Sequence, residues 1–322
     1  MNVFIITEGN AQTGYGHLTR CLAVYQGFEE HNIVPTLIAN CDDNGRKILM
    51  DIPIQSFNWI EESDKLIGLI SCADIAIIDS YLADLPIYVQ ICKAVKKAVY
   101  FDDTLRLDYP PGIIINGAVN AEFLPYIVDG NHIYLLGLDY TPMRKAFWNI
   151  PERIPTDKVE NVLVTMGGND LNGTTFQVLD ALCSVYPLVH YHIVLGYSNF
   201  EEKVELYNRI DNIKFYHSLN AEKMRDLMLF CDVAVSAAGQ TTYELVKTGL
   251  KSIFVQITEN QHLNMQGWYE KGIIREIINV ESANYLSRIL YSLGKIRTSS
   301  LRLIRKSNST LNIVNSLLAS YD

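Results

Sequence analysis

Short runs of consecutive apolar residues recur along the chain, each followed by a turn and then by a stretch of helical periodicity. In the first half these runs are Val3–Ile6, Ile33–Ala39, Ile54–Phe57, Ala73–Asp79, Ala98–Tyr100 and Ile113–Ile115. Leu18, Cys21, Leu22, Tyr25 and Phe28 recur at the spacing of one helix face, and another helical segment ends near Cys72. The second half repeats the order of strand, turn and helix, with apolar runs at Val162–Met166, Cys231–Val235 and Ser252–Gln256 and more mixed strands at Val189–Val194 and Asn212–Tyr216. Leu301 to Leu318 is again apolar-periodic and reads as a helix. Strands that are apolar throughout, rather than alternating, are covered on both faces. With helices between them they predict parallel sheets, hence an α/β chain with two doubly wound, Rossmann-like halves. Pro151, Pro155 and the charged residues between them read as a linker. The expected domains are therefore 1–150 and 151–322, with the last helix returning to the first domain.

Composition narrows this picture. A chain of 322 residues with 48% hydrophobic and 20% charged residues can bury a core in each of two domains. A net charge of −9 argues against a nucleic-acid partner, and Arg302, Arg305 and Lys306 read as a solvated helix face. The four opening apolar residues run straight into Thr7 and Glu8, unlike a signal peptide, and no apolar stretch is long enough for membrane insertion. The six cysteines are scattered without a Cys-x-x-Cys pair and read as reduced thiols, so a cytoplasmic protein is expected.

Candidate chemistry collects where strands end, because ligands of such sheets sit beyond the carboxyl ends. Gly14-Tyr15-Gly16-His17 links the first strand to the first helix. Its glycines let the backbone approach a ligand, and His17 can exchange a proton near neutral pH, as a general base or simply as a turn residue. Asp79, Ser80 and Tyr81 follow one strand, Asp102 and Asp103 another, and Asn116 a third. Each aspartate reads either as a ligand contact or as a cap. Neighbours in extended chain point to opposite sides, so Asp102 and Asp103 are a poor pair for flanking one bond. In the second half Gly167, Gly168, Asn169 and Asp170 follow a strand and can admit a phosphate at the next helix. Ser236-Ala237-Ala238-Gly239-Gln240-Thr241-Thr242-Tyr243-Glu244 is a small-residue loop opening a helix. Its amides and hydroxyls suit a diphosphate. Glu244 can reach ribose hydroxyls or form a capping box with Thr241. Gln261 and Asn264 lie in a further polar loop that opens a helix. His190 and His192 share one strand face but lack a third ligand and read as sheet-edge or core residues. No cluster has metal spacing, so neither metal nor other cofactor is expected.

These blocks, in this order, resemble the GT-B fold over the whole chain, two doubly wound domains facing across a cleft. Within it they most resemble the UDP-sugar hydrolases of pseudaminic acid biosynthesis (the PseG family). The matching stretches are Gly14 to Leu22, Ile78 to Tyr81, Phe101 to Asp103, Gly167 to Asp170 and Ser236 to Glu244. The resemblance implies UDP held mainly by the second domain and sugar by the first, with His17 as base for an attacking water. The linker near Pro151 to Pro155 and a cleft between two sheets predict domain closure on substrate. The implied sugar-side residues are Gly14, Gly16, Arg20, Asp79, Tyr81, Asp102, Asp103 and Asn116. The implied nucleotide-side residues are Gly167, Gly168, Asn169, Ser236, Gly239, Gln240, Thr241, Glu244, Gln261 and Asn264. Members of that family carry arginine and aspartate where this chain has Ile6 and Glu8. The glycosyltransferase that adds N-acetylglucosamine in peptidoglycan assembly shares the skeleton, so an inverting UDP-sugar transferase is the alternative. The first half shows no lipid-facing patch that such a transferase needs. A non-catalytic UDP-sugar-binding subunit is the third possibility, and it gives no reason for His17.

Overall fold

The computed structural model describes residues 1–128, 130–154, 158–168, 170, 172–196, 200–207, 209–217, 219–296 and 308–320. Pro155 and the basic cluster Arg302, Arg305 and Lys306 fall outside these residues. The chain divides into two compact units, Met1–Lys145 with Ser307–Asp322, and Ala146–Lys306.

In the first unit the elements run β1 (Val3–Gly9), α1 (Gly16–Glu29), β2 (Thr36–Cys41), α2 (Asp43–Ile48), β3 (Ile54–Ser56), α3 (Ser63–Ile70), β4 (Ile75–Asp79), α4 (Leu85–Ala94), β5 (Lys97–Phe101), β6 (Gly112–Asn116) and β7 (His132–Leu136). The strands form one sheet in the order β3-β2-β1-β4-β5-β6-β7, and every pairing is parallel. Turn chemistry sets the helix starts. Asp42 caps α2 by accepting from the Gly45 amide, and Asp84 caps α4 by accepting from Ile87, with a proline in the first turn.

The second unit runs β8 (Asn161–Thr165), α5 (Thr174–Val185), β9 (His190–Leu195), α6 (Glu201–Tyr207), β10 (Ile213–His217), α7 (Ala221–Phe230), β11 (Val233–Ala237), α8 (Thr241–Lys247), β12 (Lys251–Gln256), α9 (His262–Glu270), β13 (Ile278–Asn279) and α10 (Tyr285–Lys295). Its sheet, β10-β9-β8-β11-β12-β13, is also parallel throughout. One face of its core packs β8, β9 and β11 against α5 and α10 through Val162, Val164, Leu179, Leu182, Ile193 and Ile289. The final helix, α11 (Ser309–Ala319), belongs with the first unit. It lies so close to α1 that a Cβ on Gly27 would stand 2.9 Å from Val314. Thr310 Oγ1 accepts from the Met143 amide at 2.7 Å.

Three differences from the sequence expectation have clear causes. The first strand continues past Ile6 to Gly9, because Thr7 and Glu8 are buried and side-chain hydrogen bonds satisfy Glu8. The second begins at Thr36 and not Ile33. Proline at position 35 has no amide to give the ladder, and the residues before it close the end of α1. The strand at His132–Leu136 carried no continuous apolar signal, since it is an edge strand with Ile133 exposed.

Candidate functional site

In each sheet the strand order reverses beside its first strand, and the predicted residues gather at that point, beyond the carboxyl ends. In the first unit this is the crevice between β1 and β4, where Thr7 pairs with Asp79. Gly14 takes φ +83° and donates its amide to Asn10 across the β1–α1 turn, a conformation that favours glycine. Gly16 opens α1 with nothing near the position of a Cβ. The turn is tied down from the side, because the Asp42 carboxylate accepts from Tyr15 Oη and from the Ala11 amide.

His17, in the first turn of α1, places Nδ1 3.6 Å from Asp79 Oδ1, and its side chain is 13% exposed. The Tyr81 ring stands edge-on to the imidazole at 4.3 Å. Arg20, one turn along α1, grips Asp79 with two parallel bonds: Nε to Oδ2 at 2.7 Å and Nη2 to Oδ1 at 2.6 Å. Its Nη1 reaches Asp103 at 2.7 Å, and the guanidinium lies over the Phe101 ring. Tyr81 Oη donates to the other oxygen of Asp103 at 2.6 Å.

Burial alone would push the Asp103 carboxyl up. The Arg20 charge and the hydrogen bonds from Arg20 and Tyr81 outweigh it and hold the group down to about 2. Burial would lower the Arg20 value, but Asp103 and Asp79 raise it, so the guanidinium stays charged. Burial and then Asp103 push the Tyr81 phenol up, and it remains a donor. Burial and the neighbouring Asp79 raise the Cys21 thiol, which makes it no nucleophile.

The two consecutive aspartates do diverge. Asp102 turns inward, accepting from the amides of Thr104 and Arg106 and from Tyr126 Oη. Asn116 is fully buried, donating to Tyr126 Oη and accepting from the Ala118 amide. Both shape the ends of β5 and β6 and do not face solvent. Sequence reasoning gave no role to Glu8, the last charged residue of β1. Its carboxylate accepts from Ser80 Oγ and from the amides of Tyr81 and Leu82. Its signal in the sequence is slight, since Glu8 follows Thr7 just beyond the apolar run Val3–Ile6.

In the second unit the corresponding crevice lies between β8 and β11. Gly167 takes φ +81° and Gly168 is exposed, while Asn169 lies outside the described residues. An anion was expected at the helix that follows. The protein supplies its own: the buried Asp170 carboxylate accepts from the Thr174 and Thr175 amides at 2.8 Å, closing the start of α5.

The loop after β11 is different. The amides of Gly239 and Thr241 have no hydrogen-bond acceptor among the described residues, and both residues are half-buried. Ser236 is buried and donates to the Ala237 carbonyl. Gln240 precedes α8, and Glu244 sits in its first turn, 8% exposed. Gln261 accepts from the Ile257 amide, and its Nε2 would stand 3.8 Å from a Cβ at Gly239. Asn264 supports the loop from behind. Its Nδ2 donates to the Ala238 carbonyl at 2.7 Å and to Thr242 Oγ1 at 3.1 Å, and its Oδ1 accepts from Tyr243. Trp268 donates to the same Thr242 hydroxyl.

His192 is nearly buried and bonds Tyr216 and Asn161, a satisfied strand residue. Among the described residues no group of three or more His, Cys, Asp or Glu is placed to hold a metal. No helix among them is long and apolar enough to cross a membrane.

No protein-family model matches the chain. Curated relatives do. One is an uncharacterised protein of Methanocaldococcus jannaschii, 26% identical over 280 residues, covering 81% of this chain and 57% of that one. Another is the pseudaminic acid cytidylyltransferase and UDP-2,4-diacetamido-2,4,6-trideoxy-beta-L-altropyranose hydrolase of Helicobacter pylori, 25% identical over 86% of this chain and 48% of its own length. The chain thus spans about half the length of these two relatives. The spore coat polysaccharide biosynthesis protein SpsG of Bacillus subtilis is 24% identical over 91% of this chain and 90% of its own. Among solved structures, MurG of Acinetobacter baumannii superposes with a TM-score of 0.68, at 14% identity, over 99% of this chain and 100% of that one. The UDP-GlcNAc 2-epimerase of Neisseria meningitidis bound to UDP-GlcNAc gives 0.63 at 12% identity, over 99% of this chain and 100% of that one. The fold is of the GT-B type, and the chain is a homologue of the PseG-like hydrolase and of SpsG.

Proposed function

We propose that the chain is a cytoplasmic, metal-independent hydrolase of a UDP-activated sugar of the diacetamido-trideoxy class. It acts with inversion and serves the biosynthesis of a nonulosonic acid or surface polysaccharide. The observation that carries the reading is the line His17–Asp79–Arg20. A carboxylate fixed by a two-pronged guanidinium stands beside Nδ1, which favours the tautomer with its proton there and leaves Nε2 free to accept one. The name of the Helicobacter pylori relative supplies the substrate class, and that of SpsG the biosynthetic setting.

In this mechanism Nε2 holds a water on the face of the anomeric carbon opposite UDP. The water oxygen bonds to that carbon as the carbon–oxygen bond to the β-phosphate breaks. The water proton passes to Nε2, and UDP leaves with the bonding electron pair. Tyr81, 37% exposed, and Asp103, 25% exposed, are the groups that face the sugar. Arg20 holds Asp103 and Asp79 from the interior, and Asp102 and Asn116 shape the strand ends beside them. The diphosphate takes the free amides of Gly239 and Thr241, and its charge is met by fixed dipoles in place of a cation. Glu244 takes the ribose.

Calorimetry of UDP binding tests the nucleotide half. Glu244→Ala should weaken UDP about 10- to 100-fold, the worth of hydrogen bonds to a charged group. EDTA should leave the wild-type affinity unchanged. Equal affinity in the variant removes Glu244 from the ribose site, and a loss on adding EDTA overturns metal independence.

A further inference from the structure

Glu8 is 1% exposed, and among the described residues no basic side chain pairs with it. A carboxylate so placed needs strong donors to offset its desolvation. It has three, all from the turn after β4. Oε2 accepts from Ser80 Oγ at 2.6 Å, and Oε1 accepts from the Tyr81 amide at 2.8 Å and the Leu82 amide at 3.0 Å. Ser80 Oγ in turn accepts from the amides of Leu82 and Ala83, at 3.1 and 2.9 Å. Both Glu8 oxygens are spent on the turn, so the residue is not poised to take a proton from water. What the turn presents is Tyr81, whose ring contacts His17 and whose hydroxyl reaches Asp103.

We propose that Glu8 is a positioning residue, a clamp that runs from the end of β1 to the turn after β4 and fixes the Tyr81 ring against His17. It acts through Tyr81 and touches neither substrate nor water. The length of its side chain matters. Aspartate, one methylene shorter, cannot reach the Ser80 hydroxyl and both amides from the same strand position. Glutamine keeps the length and an oxygen for the two amides.

The test uses the full chain with isotope-labelled histidine, the His17 resonance being assigned by its loss in His17→Asn. An aromatic ring edge-on at 4.3 Å imposes a ring-current shift on the imidazole protons. Tyr81→Leu gives the resonance without that ring. Glu8→Asp should move it toward the Tyr81→Leu position, and Glu8→Gln should hold it near wild type. If Glu8→Asp does not fold, Ser80→Ala, which removes the bridging hydroxyl, serves in its place with the same expected shift. In turnover of a UDP-sugar, Glu8→Asp should lower kcat on the order of 10- to 100-fold, as expected for a misplacement of about 1 Å. UDP affinity should not change. A His17 resonance that stays at its wild-type position in Glu8→Asp overturns the clamp, and so does a loss of turnover matched by an equal loss of UDP affinity. The kinetic arm rests on the hydrolase reading. Wild-type protein that releases no UDP defeats that reading and leaves the clamp to be judged by the resonance.

Discussion

Replacing His17 by asparagine should lower turnover on the order of 10²–10⁴-fold, the usual worth of a positioned acid–base group. UDP affinity should barely change, because the nucleotide is assigned to the loop after β11 and not to the β1–α1 turn. Asparagine is the informative substitution. It keeps a polar side chain beside Asp79 and removes basicity, so folding should be preserved. Near-wild-type turnover in His17→Asn would make the histidine a spacer. Asp103 would then be the group to examine, because it is the partly exposed carboxylate of the cluster, with Arg20 and Tyr81 on its two oxygens, whereas Asp102 is turned inward to Thr104, Arg106 and Tyr126.

Arg20→Met should be the most damaging single change to stability, costing about 3–5 kcal/mol, the range for removing one partner of a buried ion pair. Asp79 is 1% exposed and would lose both prongs of its partner, and Asp103 would lose its cation. Lysine should not rescue it, since a single ammonium cannot supply the fork that grips Asp79 while also reaching Asp103. Urea unfolding measures the loss, and a variant within about 0.5 kcal/mol of wild type would show that the pairs contribute nothing.

The same network sets an acid limit. Asp103 is held at about 2 when folded, below the roughly 3.9 of an unfolded aspartate. Its contribution is therefore present above the unfolded value and is lost as pH falls through the folded one, between about 4 and 2. Wild type should show this step in a pH series of unfolding curves, and Arg20→Met should not.

The alternation of apolar strands and periodic helices was legible because both sheets are parallel and covered on both faces. Local pattern failed where tertiary partners override it. The strand β1 extends because Glu8 finds donors 72 to 74 residues away. The edge strand β7 lacks a buried face that the eye can follow. The six-residue α2 is held by its cap and shows too little periodicity to announce itself.

For the site, strand ends marked Asp79, Asp102 and Asp103, and topology brings His17, Arg20, Asp79, Tyr81 and Asp103 together as a cluster. Their division of labour could not be read. Arg20 meets partners 59 and 83 positions away, and only those contacts show that it serves Asp79 and Asp103. Asp170 sat in a glycine-rich stretch that looks like a phosphate loop, yet its side chain fills that role itself. Asn264, in a polar loop that opens a helix, looks like a nucleotide contact, whereas its amide is committed to Ala238, Thr242 and Tyr243.

Turnover of a UDP-2,4-diacetamido-2,4,6-trideoxy sugar in water enriched in heavy oxygen, without any acceptor, shows whether water is the attacking group. Mass spectrometry and NMR of the products would follow. Heavy oxygen should appear on the anomeric carbon of the released sugar, with inverted configuration at first appearance, and UDP should carry none. Label in the β-phosphate of UDP, retained configuration, or UDP release that requires an added sugar hydroxyl would contradict an inverting hydrolase in which His17 activates water.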